Sequence, residues 1–137
     1  MGAWGTKTFE TDVALDWLGD LEATDDADAF LEESLTPSMA DDSLEADLAQ
    51  HVVCAAEVVA AILGAPSAGL HSEVVTWVEA HSDLDVEPLA EQAVHALRLV
   101  LRESELNDLW AESEKHDEWR APVVKLRKRL KEFADLG

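Results

Sequence analysis

Three aspartates at four-residue spacing, Asp12, Asp16 and Asp20, are the first residues in the chain whose type and spacing could do chemistry. On a helix they form one line of carboxylates, a candidate for holding a divalent cation. Oxygen-ligand sites more often wrap a loop around the ion, so a solvated acidic face is the plainer reading. A second acidic group, Asp25, Asp26 and Asp28, lacks the Gly and closing Glu of a calcium-binding loop. It suits the positive end of a helix dipole, and it offers surface to a basic partner. The histidines His51, His71, His81, His95 and His116 have no metal-ligand spacing. His51 and Glu57 share a segment without facing each other, and a Gln50–Glu57 polar contact with a neighbouring helix is the simpler expectation. There is no nucleophile elbow, phosphate-binding loop, dinucleotide fingerprint or Cys-x-x-Cys pair. The chain reads as non-enzymatic, with no cofactor.

The elements that must position these groups read as helices. The stretch 44–64, LEADLAQHVVCAAEVVAAILG, is apolar almost all the way round and predicts a central helix over about 43–64. At helical phase, Ser43, Asp47, Gln50, Glu57 and Gly64 fall on one narrow wet stripe. Cys54 and Ala61 fill its gaps. The segment is too short, and Glu57 too costly, for a membrane span. Cys54 is the chain's single cysteine, which excludes an internal disulfide and predicts a buried, inert thiol.

Around it, periodicity and capping signals predict further helices. One begins at Thr11 or Asp12 and runs to about 22, with Val13, Ala14, Trp17, Leu18 and Leu21 inside. Others cover about 25–35, 72–81, 85–102 with Pro88 in its first turn, and 104–113 with Leu106, Leu109 and Trp110 on one side. The last covers about 120–136, with Pro122 near its first turn. Asp42 and Glu45 stand at capping-box spacing before the central helix. The expected fold is a single all-α domain over 1–137. It is a bundle of about six or seven helices with an extended N-terminal arm, 1–10, and a basic amphipathic C-terminal helix.

The net charge is −20, from 30 acidic and 10 basic residues, which argues against nucleic-acid or anionic-membrane partners. It is unevenly spread. Residues 1–114 hold 26 acids and three bases, a net of −23, while 115–137 hold four acids and seven bases, a net of +3. Lys125, Arg127, Lys128, Arg129 and Lys131 make the basic face of the last helix. It either meets a partner or, as preferred here, docks on the acidic helices of its own chain. No signal peptide is visible, and the cytosol is the expected compartment. Oligomeric state is left open.

The opening MGAWGTKTFETDVALDWLGDL resembles the start of a bacterial family known as domain of unknown function 4259. That family opens with a pattern like M-G-x-W-G-x-x-x-F-x-N-D-x-A-x-D-[WF]. The matching positions are Met1, Gly2, Trp4, Gly5, Phe9, Asp12, Ala14, Asp16 and Trp17. Thr11 stands where the family commonly has Asn, and Lys7 where Gly is frequent. The segments CAAEVVAAILG and SELNDLWAES are similar too. The resemblance implies an architecture in which Trp4 and Phe9 pin the arm, Asp12 caps the first helix and Trp17 receives the packing. It implies no activity.

Two functions are therefore expected in turn. The first is an acidic protein-interaction module, antitoxin-like or immunity-like, that binds a basic partner. The alternative is a small-ligand or metal-binding protein using Asp12, Asp16 and Asp20, or a pocket among Trp4, Trp17, Trp77, Trp110 and Trp119.

Overall fold

A computed structural model describes residues 11–36, 44–67 and 70–134. Among them are seven helices: α1 (Asp12–Ala23), α2 (Ala27–Leu35), α3 (Ala46–Ile62), α4 (Ser72–Ala80), α5 (Leu89–Arg102), α6 (Glu105–Ala111) and α7 (His116–Ala134). They contain no strand beyond an isolated parallel bridge between Leu44 and Ser104. The fold is all-α, and α3 is its axis, packed against each of the other six helices. From Val52 to Ala60 every side chain of α3 is buried, and one apolar cluster joins residues from all seven helices. Small residues at Ala49, Cys54, Ala55, Ala56 and Ala60 have no exposed surface, which lets neighbouring backbones come close on several sides at once.

The expected arm, with Trp4, Gly5 and Phe9, lies outside the described residues, as do Asp42, Ser43 and the last three residues. α1 is capped by Thr11, not by Asp12. The Thr11 hydroxyl accepts from the Ala14 N–H (3.2 Å) and donates to Gln50 Oε1 of α3 (2.5 Å). Asp12 is instead the first helical residue, exposed, where its charge suits the dipole. Trp17 packs its ring on Phe30 of α2 and donates its indole N–H to Ser34 Oγ (3.0 Å). Val13, expected inside, is half-buried at the edge of the face formed by Ala14, Trp17, Leu18 and Leu21.

Glu45 occupies the cap position of α3 without a side-chain cap bond, and Glu105 Oε1 accepts the Ala46 N–H from across the fold (3.4 Å). The chain entering α3 is pinned by backbone bonds at the α5–α6 junction, Leu44 N–H to Glu103 O (2.7 Å) and Glu105 N–H to Leu44 O (2.8 Å). At its other end α3 closes with Gly64 at φ 95°, Ala65 N–H reaching Ala60 O and Gly64 N–H reaching Ala61 O. These are the two bonds of a Schellman turn, and the positive φ is why glycine stands there.

Two helix starts and one helix face differ from expectation. Pro88 caps α5 and does not sit inside it: Leu89 N–H to Val86 O and Ala90 N–H to Glu87 O form a tighter turn there, ahead of the α-helical bonds. α7 begins at His116, four residues early, and carries Pro122 in its interior. The proline removes a bond to the carbonyl of Glu118, and both residues are exposed, so water can take that place. Leu109 is 45% exposed. In the short α6 the core-facing line runs through Leu106 and Trp110, and Leu109 lies about 80° away from it at 100° per residue.

Candidate functional site

The wet stripe expected along α3 is interrupted in its middle, with Ala61 half-buried and Gly64 exposed beyond the break. Asp47 is exposed and Gln50 half-buried, but Glu57 is buried at 6% exposure and Cys54 completely. Helical phase alone cannot tell a solvated carboxylate from one covered by a distant cation. Here the cover is α7 together with the loop after α3. Ser67 Oγ donates to Glu57 Oε1 (2.5 Å), Arg129 Nη2 donates to Ser67 Oγ (2.7 Å), and Arg129 Nη2 stands 3.8 Å from the same carboxylate oxygen. Arg129 Nε also donates to Ala65 O (3.1 Å). The cluster is a latch: one guanidinium ties the central helix, its terminal loop and the last helix together. Gln50 and Glu57 each make polar contact with a neighbouring helix, as expected: Gln50 with Thr11 at the start of α1 and Glu57 with Arg129 of α7.

Cys54 lies one turn from Glu57, and burial first, then the Glu57 charge, hold its thiol well above the ordinary 9.0. In the unfolded chain the thiol ionises in the usual range, so above that range the unfolded state has released a proton the folded state keeps. Stability therefore falls as pH rises beyond about 9, by up to about 1.4 kcal/mol per pH unit. Urea titrations between pH 8 and pH 10 are expected to show this extra slope in the native sequence and not in Cys54→Ala. Native Cys54 is likewise expected to resist iodoacetamide at pH 8 until urea unfolds the chain. Alkylation at the rate of a free thiol contradicts the burial.

The sequence candidates are distributed as follows. Asp12, Asp16 and Asp20 lie exposed along α1, and Asp25, Asp26 and Asp28 are exposed at the start of α2, where Asp26 caps by accepting the Ala29 N–H. Among the described residues no three His, Cys, Asp or Glu side chains are grouped to hold a metal ion. The four described tryptophans do not converge on one pocket. Trp17 lines a cleft of about 340 Å³ with His51 and Thr36, and Trp77 a separate one of about 390 Å³ with His81. Trp110 and Trp119 stack on each other, ring centroids 6.3 Å apart. All four are at least nine-tenths buried, as core residues.

The expected basic face of α7 divides. Arg129 turns inward to Glu57, while Arg127, Lys128 and Lys131 join Arg120 on the opposite side, against α5. There the two helices run antiparallel in register. Arg127 Nε donates to Val94 O (3.2 Å) and Arg120 Nη1 to Leu101 O (3.1 Å), so seven residues forward on α7 match seven back on α5. The Leu101 carbonyl is one of the unpaired acceptors at the end of α5, which the guanidinium satisfies. Arg98 and Arg102 of α5 complete a groove of about 420 Å³ with Arg120, Arg127, Lys128 and Lys131, floored by Leu101 and Val124. Six of the chain's ten lysines and arginines line it, and no acid does. α7 thus docks mainly on α5, which carries Arg98 and Arg102, and not on the acidic α1 and α2: its apolar stripe is buried and its arginines reach backbone carbonyls. Among the described residues its one ion pair to a carboxylate is Arg129–Glu57. Arg98 and Arg102 stand on one helix and the α7 bases on another, far apart in sequence. The register that joins them is visible only in the packing.

These features define an all-α protein with a latched central helix and a surface divided by charge. Among its described residues no helix is long and apolar enough to cross a membrane. The chain belongs to the family described as Domain of unknown function (DUF4259), which matches residues 2–122. No curated protein and no solved structure matches it.

Proposed function

We propose that the chain is an acidic interaction module that binds a basic protein surface through the face built by α1 and α2, in the manner of an immunity protein or antitoxin. One observation carries this reading. Residues 11–36 contain nine acids and no lysine or arginine, and all nine side chains are exposed. No ion pair neutralises them among the described residues. A face of exposed carboxylates on two helices held against α3 raises the local concentration of a cationic partner and speeds encounter.

The test separates a specific face from bulk charge. A basic partner is to be isolated at low salt and its association rate measured against two variants of equal charge. One changes Asp12, Asp16, Asp20, Asp25, Asp26 and Asp28 to Asn. The other neutralises Glu73, Glu79, Asp83, Asp85, Glu87 and Glu91, which are also exposed. The first is expected to slow association at least about tenfold and the second less than about twofold, with both effects shrinking at high salt. Equal slowing by the two sets, or no basic partner at low salt, overturns the reading.

A further inference from the structure

We propose that the groove between α5 and α7 is a binding site for a compact chain of phosphoryl groups, an oligophosphate either free or carried by a small molecule. This stands apart from the acidic face and needs no partner protein.

The charge distribution is the first reason. A chain with 30 acids concentrates six of its ten bases in one groove and leaves them without a single ion pair among the described residues. Like charges so gathered repel one another, and neutralising carboxylates abound elsewhere on the surface. An anion from outside relieves that repulsion.

Geometry narrows the anion. Arg120 and Arg127 are each anchored by a hydrogen bond to an α5 carbonyl, which fixes their planar forks in place and leaves further N–H groups to donate. A fork held in this way loses little freedom on binding phosphate oxygens, and Arg forks match phosphate bidentately. From Arg120 to Lys131 the α7 side of the groove is about 16 Å long at 1.5 Å per residue. A single phosphate reaches part of that length, whereas a linear chain of phosphoryl groups can touch cations from both helices. The floor, buried Leu101 and exposed Val124, presents apolar side chains with no acceptor that would repel the ligand and no aromatic ring to stack a base.

Net charge disfavours larger polyanions. The groove, of about 420 Å³ and open to solvent on one side, belongs to a molecule of net −20. At physiological salt the repulsion from that surface is screened beyond about 8 Å. A ligand seated within the groove therefore senses the six cations, while an RNA strand or a membrane also meets the acidic remainder.

Isothermal titration at 150 mM salt without magnesium tests the assignment, using inorganic tripolyphosphate, inorganic phosphate, ATP, a single-stranded RNA and phosphatidylserine vesicles as separate probes. Tripolyphosphate is expected to bind at least tenfold more tightly than phosphate. Arg98→Gln with Lys131→Gln, both at exposed positions, is expected to weaken it by about tenfold or more, each charge-assisted bond being worth roughly that factor. Lys115→Gln with Lys125→Gln makes the same change in charge outside the groove and is expected to alter binding less than twofold. Equal affinity for tripolyphosphate and ATP assigns the free chain, and tenfold tighter ATP assigns a nucleoside carrier; either supports the site. No tripolyphosphate binding, equal loss in the two double variants, or tighter binding of RNA or vesicles overturns it.

Discussion

Arg129→Met is expected to lower the free energy of unfolding by about 2–3 kcal/mol and the midpoint by about 10 °C. Adding Glu57→Leu to the same chain is expected to return more than half of that loss. The single substitution strips a buried carboxylate of its cation and leaves Ser67 as the hydroxyl that bonds it. Breaking a buried pair from one side commonly costs about 3–5 kcal/mol. The lower figure applies here because the Arg129 side chain is 30% exposed and the separation is 3.8 Å, so water screens part of the attraction. The double variant removes the stranded charge as well, and an apolar side chain at a position of 6% exposure gains burial in exchange. Recovery is partial because the bond from Arg129 to Ala65 O, which holds the loop after α3, stays lost. Urea denaturation of the native sequence, both single variants and the double closes the cycle. A double variant no more stable than Arg129→Met means that Glu57 carries no charge in need of a partner, and the latch is then misread.

The larger effect is expected at Val52. Val52→Asp places an ionised group in the middle of α3 at a position with no exposed surface, and it also removes the apolar burial of the valine. An unpaired buried charge costs several kcal/mol, and small domains have only about 5–15 kcal/mol of total stability. Loss of cooperative thermal unfolding is the expected result. The same substitution at Val75, 37% exposed on α4, is expected to cost less than about 1 kcal/mol. A Val52→Asp chain that unfolds cooperatively within a few degrees of the native one removes the enclosed helix from the account.

What could be read from the residues was set by local physics. The apolar run of α3 and the 119, 123, 126, 130 stripe of α7 announce burial, because an apolar side chain has no other stable place. Helix ends followed local chemistry where it was unambiguous, as at Gly64. They drifted where a proline was involved: Pro88 closes off the approach to α5, while Pro122 is tolerated inside α7 because its turn faces water.

The site was less legible. Glu57 and Arg129 lie 72 positions apart, and each alone looks like an ordinary surface charge on its own stripe. Their pairing comes from the way α7 crosses α3, a property of packing rather than periodicity. The basic groove was present in two halves, Arg98 and Arg102 on one helix and Arg120, Arg127, Lys128 and Lys131 on another. What joins them is the antiparallel register fixed by the Val94 and Leu101 carbonyls. The acidic face was fully legible, since nine carboxylates in 26 residues have nowhere to go but water.

Residue-resolved amide hydrogen exchange of the native chain is the most direct measurement of an α3 enclosed on every side. Val52 through Ala60 are expected to exchange only through global unfolding, more slowly than the exposed turns of α4 and α6, with protection rising in step with stability measured by urea. Exchange of those amides as fast as in α4, or by local opening insensitive to urea, contradicts a central helix held by the other six.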